Sequence, residues 1–168
     1  MKLTTEGNTK GYTRLSWDQY FMKIAFLVAE RSTCKRHHVG AIAVRDHRIL
    51  TTGYNGAPSD TKDCLELGCL RNELNIPSGE RHEICRALHG EENAILQASL
   101  HGISIKGATI YCTHTPCVIC AKMVAGSKIS KFVYAIDYKD IEYKKLFKEV
   151  GIIYEKVSIP SFIISILK

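Results

Sequence analysis

The sequence predicts an α/β domain of three layers, α/β/α, with helices on both faces of a five-stranded mixed sheet. Three observations carry that prediction. The chain's 168 residues suit one domain with a substantial core. Before residue 54, two short apolar runs flank a polar turn, which reads as a strand hairpin. After Leu88, helical and strand periods alternate three times, and helical crossovers between successive strands imply parallel pairing. No repeat, low-complexity segment or domain boundary interrupts the pattern, so residues 1–168 are expected to form a single domain.

Residues 1–13 are polar and glycine-containing, which predicts a loose arm. Ser16 and Gln19 form a capping box ahead of Tyr20, Phe21, Ile24, Leu27 and Val28 at helical spacing, so the first helix is expected at about 16–32. The hairpin strands are residues 39–44 and 49–53, separated by Asp46, His47 and Arg48. A turn from Tyr54 to Pro58 leads into an irregular insertion, residues 58–86, rich in Gly, Asp, Pro and Cys, which needs a function or a staple to hold it. The alternating region then predicts helices at about 90–100, 117–126 and 140–149 and strands at about 108–113, 131–136 and 151–154. The apolar tail from Val157 to Leu167 is too short to span a bilayer and is interrupted by Pro160, so it is expected to pack on the domain or on a partner subunit.

Lys plus Arg number 23 against 17 Asp plus Glu, a net charge of +6 that would attract the phosphates of a nucleotide or a nucleic acid. The basic residues are scattered and no aromatic stacking series accompanies them, which argues against nucleic acid. Seven cysteines would suggest disulfides in a secreted protein, but the N-terminus shows no apolar signal segment. A cytoplasmic location and metal binding explain them better.

His89, Cys117 and Cys120 supply one imidazole and two thiolates, the three-ligand set typical of a catalytic zinc with a fourth place for water. His89 and Glu91 sit at a helix start. Cys117 and Cys120, at i and i+3 behind Pro116, fit the first turn of another helix with both sulfurs on one face. The positive end of a helix favours thiolate, the form that binds metal. Taken alone, the Cys-x-x-Cys pair is equally a redox motif, and Glu91 a solvated first-turn acid.

Together these residues resemble the deoxycytidylate (dCMP) deaminase family, microbial and phage type, of the cytidine deaminase-like superfamily. The likeness runs through residues 14–22, 31–34, 39–42, 53–58, 85–89, 91–95 and 117–123, nearly the whole chain. The Gly-Tyr-Asn-Gly-Ala-Pro turn and the cysteine-bearing insertion narrow it to dCMP enzymes. Two positions depart from the family pattern: Gly90 stands where alanine is usual, and residues 126–129 replace a Ser-Gly-Ile turn.

The resemblance implies zinc-dependent hydrolytic deamination of dCMP to dUMP and ammonia, with zinc on His89, Cys117 and Cys120 and Glu91 as the proton carrier. It implies substrate contacts from Asn55, Thr115 and Tyr138; the bland alternative for Asn55 is a turn residue with positive φ. Thr115 and the His114 carbonyl, just ahead of the cysteine helix, are candidates to hold the amino group, and Arg36, Arg45 and Lys139 are candidates for the phosphate. It also implies a homo-oligomer, typically a hexamer, activated by dCTP with Mg2+ and inhibited by dTTP, with Tyr54, Asn55 and Gly56 near the effector site. A second, structural zinc would use Cys34, Cys64, His82 and Cys85, with Cys69 as substitute, against the alternative of free buried thiols. Cys112 reads as a core residue, and His37, His38, His47 and His101 as surface or capping histidines. A deaminase acting on tRNA shares the zinc motif and is the rival function.

Overall fold

The computed structural model describes residues 14–158. The expected arm over residues 1–13, and the tail from residue 159 onward, lie outside the described residues. Helix α1 is Trp17–Ala29, and its capping box forms as expected: Gln19 N–H donates to Ser16 Oγ and Ser16 N–H to the Gln19 side chain. It ends three residues before the predicted boundary, because Glu30, Arg31 and Ser32 turn back onto the carbonyls of Leu27, Val28 and Ala29.

Strands β1 (Gly40–Arg45) and β2 (Arg48–Tyr54) pair antiparallel around Asp46 and His47, both at positive φ (51° and 57°), the two-residue turn that matches strand twist. The insertion is less irregular than its composition suggests. It holds two one-turn helices, α2 (Cys64–Leu67) and α3 (Leu70–Glu73), and a 3-10 turn at His82–Ile84. Asp63 caps α2 through a second capping box, a signal the sequence carried between the cysteines.

The alternating region gives α4 (Gly90–Leu100), β3 (Thr109–His114), α5 (Val118–Gly126), β4 (Lys131–Ile136), α6 (Tyr143–Val150) and β5 (Ile153–Lys156). The sheet order is β2-β1-β3-β4-β5, with β3, β4 and β5 mutually parallel and β1 antiparallel to both neighbours. Two boundaries differ for physical reasons. Helix α6 starts at Tyr143, later than expected, because the Asp140 carboxylate accepts from Glu142 N–H and reaches across to Val118 N–H at the head of α5. Strand β5 begins at Ile153, because Gly151 at positive φ ends α6 and the Ile152 amide still bonds back to Phe147.

Central strands are buried on both faces, which is why β1, β3 and β4 read as continuous apolar runs. One face packs Ala41, Ala43, Ile110, Cys112 and Phe132 against α4, α5 and α6. The other packs Ile42, Val44, Tyr111 and Val133 against Phe21, Met22, Ala25 and Phe26 of α1. Two glycines set the helix-to-sheet distance. A Cβ on Gly40 would lie 2.2 Å from Ala25 O, and one on Gly53 would lie 2.3 Å from both Ala94 N and Gly90 O. The obstacle is helix backbone, which cannot rotate away. Gly53→Ala is therefore expected to destabilise the protein by about 3 kcal/mol, read as a lower urea midpoint at unchanged slope. Among the described residues no helix is long and apolar enough to cross a membrane.

Candidate active site

Parallel strands β3 and β4 end side by side, and the loops leaving their C-terminal ends carry the chemistry, as is usual for open α/β sheets. The loop after β3 delivers Thr115, Pro116 and Cys117. Cys117 is not in the first turn of α5, as its spacing predicts, but is the extended N-cap residue (φ −72°, ψ 167°), with Cys120 one turn in. On the facing helix His89 is likewise the N-cap of α4, and Glu91 is its second residue. Two helix starts thus point at one spot.

His89 Nδ1 lies 3.5 Å from Cys117 Sγ and 3.3 Å from Cys120 Sγ. Tetrahedral zinc, with bonds of about 2.0 Å to nitrogen and 2.3 Å to sulfur, separates such donors by about 3.5 Å, so the three side chains fit the ion as they stand. Among the described residues this is the one group of three or more candidate donors whose ligand atoms all lie within 4.8 Å of one another. The neighbouring Cys120, with help from His89, holds the Cys117 thiol down to about 4, favouring thiolate. Burial alone would lower His89, but the Cys117 thiolate and the Glu91 carboxylate raise it to about 9. A divalent cation displaces the proton shared across that pair.

Glu91 is 3% exposed and stands in the same pocket without belonging to the donor triangle. Burial pushes its carboxyl up to about 7, with His89 opposing. An acid so placed exchanges protons readily near neutral pH.

Asn55 organises the floor. Its Oδ1 accepts from Gly90 N–H at 2.8 Å, satisfying an amide at the head of α4, and its Nδ2 donates to His37 O at 3.0 Å. It is buried, lines the pocket and is absent from the positive-φ positions, so the bland turn role does not hold. Gly90 has a local reason to lack a side chain: a Cβ there would sit 3.3 Å from Val39 O and 3.4 Å from Gly53 O. Tyr54 and Gly56 are knitted to the same junction, Tyr54 O accepting from Asn93 Nδ2 and Gly56 exchanging backbone bonds with Leu88.

Thr115 and Tyr138 both line the pocket and are tied together, Tyr138 N–H donating to Thr115 Oγ1 at 2.8 Å. His82 packs edge-on against His89 with ring centres 5.0 Å apart, and its Nε2 lies 3.4 Å from the Tyr138 hydroxyl. Cys34, Cys64, Cys69 and Cys85 line the pocket as well. Burial, then the neighbouring thiols of Cys34, Cys85 and Cys69, push the Cys64 thiol up. All seven cysteines are free, and Cys112 is fully buried in the core.

Three pocket residues were missed or misjudged by sequence reasoning. His37, expected at the surface, lines the pocket and bonds through Nε2 to Ser78 Oγ at 2.9 Å. Arg71 is buried in the wall with 5% exposure. His114, considered only for its carbonyl, also turns its ring to the pocket. Of the three cations suggested for a phosphate, only Arg36 lines the pocket, while Arg45 bonds to the carbonyls of Ser104 and Lys106.

The buried Thr113 hydroxyl fixes the His114 tautomer. Thr113 Oγ1 is fully buried, accepts from Gly40 N–H and lies 2.9 Å from His114 Nδ1. Its hydroxyl proton has one acceptor on that side, so Nδ1 accepts and Nε2 carries the hydrogen. Burial, with the neighbouring His37, pushes the His114 ring down to about 4. The unfolded chain therefore binds a proton that the folded one refuses between about pH 6.5 and 4, and stability falls as pH drops through that window by about 3 kcal/mol. His114→Asn, which keeps an acceptor for Thr113, is expected to flatten that part of the stability profile in urea melts at stepped pH.

The family model for the cytidine and deoxycytidylate deaminase zinc-binding region matches residues 15–136. ComE operon protein 2 of Bacillus subtilis is 40% identical over 154 residues, covering 91% of this chain and 77% of that protein. Deoxycytidylate deaminase of Saccharomyces cerevisiae is 41% identical over 140 residues, 83% of this chain, which spans 44% of the yeast protein's length. The crystal structure of dCMP deaminase from the cyanophage S-TIM5 in complex with dCMP and dUMP superposes with a TM-score of 0.70 at 30% identity, covering 87% of this chain and all of that one. The helix-borne histidine and cysteine pair, the adjoining buried glutamate and the matched span leave one family: this chain belongs to the cytidine and deoxycytidylate deaminases.

Proposed function

We propose that the chain is a zinc-dependent deaminase that hydrolyses dCMP to dUMP and ammonia, serving pyrimidine nucleotide supply. The observation that carries this reading is the buried Glu91 carboxyl beside, but not within, the donor triangle of His89, Cys117 and Cys120. Zinc bound there supplies a water acidified towards neutrality. Glu91 would carry two protons in turn, the first from the attacking water to ring N3 as oxygen bonds to C4, the second from that added oxygen to the amine, which leaves as ammonia when the C4–N bond breaks. Asn55, Thr115 and Tyr138 orient the nucleotide from the floor and wall; one Nδ2 hydrogen of Asn55 remains for the substrate after His37 takes the other.

A second, structural zinc is part of the proposal. Cys34, Cys64 and Cys85 supply three donors. For the fourth, Cys69 has the stronger support, since its thiol is among those acting on Cys64, whereas His82 is engaged with Tyr138 and His89. The thiol group is more open than the catalytic triangle, and metal binding would draw it together. Activation by dCTP with Mg2+ and inhibition by dTTP, acting near Tyr54, Asn55 and Gly56, and assembly as a hexamer complete the reading, together with one domain over residues 1–168. Exposed Leu65, Leu70 and Leu74 on the insertion offer apolar surface for a subunit contact. Seven free cysteines suit the reducing cytoplasm.

The test is ammonia release by zinc-loaded protein offered dCMP, dCTP, deoxycytidine or a transfer RNA, with and without dCTP-Mg2+ and dTTP. Turnover of dCMP, raised by dCTP and lowered by dTTP, is the expected result. Activity on RNA alone would overturn the nucleotide reading and leave the zinc deaminase chemistry.

A further inference from the structure

A guanidinium buried without an anion is costly, because arginine keeps its charge at any physiological pH. Arg71 is in that position. It is 5% exposed, its Nε has no hydrogen-bond partner, and its one side-chain bond is a long 3.4 Å contact from Nη2 to the Pro77 carbonyl. Among the described residues no carboxylate lies within ion-pair distance of it. The side chain lines the pocket that holds Glu91 and His89, and its charge acts on both His37 and His82.

The surroundings form a cationic wall. Arg36 lines the same pocket and donates from Nη1 to Ile76 O at 2.9 Å, so residues 76–77 hold one arginine by each successive carbonyl. The next residue, Ser78, places its hydroxyl 2.9 Å from His37 Nε2 and 3.4 Å from the Tyr138 hydroxyl. Two guanidiniums, an imidazole and the Tyr138 hydroxyl therefore line one pocket with His89 and Cys117 of the donor triangle, and Ser78 bridges His37 and Tyr138. A compact oxyanion with several acceptor oxygens satisfies such a group; a base or sugar does not.

We propose that Arg71, seconded by Arg36, binds the phosphate of the nucleotide and makes the pocket selective for phosphorylated substrates. The proposal rests on the deaminase reading of the same pocket. The rival anion for Arg71 is a metal-bound thiolate group, since Cys64, Cys69 and Cys85 are also near it. Its Nη2 reaches the Pro77 carbonyl beside Ser78, whose hydroxyl meets His37 and Tyr138, which puts the charge on the nucleotide side.

The deciding experiment compares wild type, Arg71→Met and Arg71→Lys as zinc-loaded proteins. Losing charge-assisted hydrogen bonds to phosphate should raise the KM for dCMP about 30-fold in Arg71→Met, with kcat within about threefold and zinc content unchanged. Inorganic phosphate should inhibit wild type competitively and raise its melting temperature, and both effects should vanish in Arg71→Met. Arg71→Lys, which keeps the charge without the fork, should fall between and decides the matter if the methionine variant does not fold. A fall in kcat at constant KM, or loss of zinc with either substitution, would overturn the proposal in favour of the thiolate partner. Absence of dCMP turnover by wild type would sink the deaminase reading alone, because the melting shift with phosphate and its loss in the variants still report on Arg71.

Discussion

Glu91→Gln is expected to lower kcat for dCMP by about three orders of magnitude while the protein keeps its catalytic zinc and its fold. The carboxyl is 3% exposed, and burial pushes it up to about 7, which favours the uncharged form. An amide of the same shape therefore asks little of the packing, and the melting temperature should hold or rise slightly. What the amide cannot do is carry a proton between water, ring nitrogen and leaving amine. Three measurements on one preparation check this: ammonia release, zinc content and thermal melting. A rate within tenfold of wild type would remove Glu91 from the chemistry, and zinc loss in step with activity would make it a structural support of the metal site.

The parts of this site that could be read from sequence are those written in local spacing. His89 and Glu91 belong to one helix start, Cys117 and Cys120 to another, and each pair shows itself within four residues. The mixed sheet was equally legible, because helical crossovers after Leu88 leave parallel pairing as the compact solution. Residues brought in from a distance escaped. Arg71 looks like any surface arginine in a polar insertion, and only the fold shows it buried beside His37, whose position is 34 residues earlier in the chain. His114 alternates within a strand, and its meaning depends on a bond from Gly40 to Thr113, across 73 residues. The start of α6 shifted for the same reason: Asp140 is spent on the amide of Val118, a partner that no local pattern names.

Counting zinc tests both metal sites together, and the two removals should look different. Wild-type protein is expected to hold two ions per chain. Cys120→Ala should hold one and release no ammonia, because two of three donors cannot keep an ion against competing water, and Cys120 is buried where no other side chain replaces it. The core around it belongs to the sheet, so that variant should melt within a few degrees of wild type. Cys64→Ala should also hold one ion, with a different consequence. Cys64 opens α2, inside an insertion built from one-turn helices too short to persist alone. Without an ion to join it to Cys34 and Cys85, that segment loses its staple, and the melting temperature should drop by about 10 °C. The same segment carries Arg71, so the KM for dCMP should rise in Cys64→Ala while the donor triangle stays filled. A single zinc in wild type that survives Cys64→Ala unchanged would reduce the four outer cysteines to buried thiols and leave packing alone to hold the pocket wall.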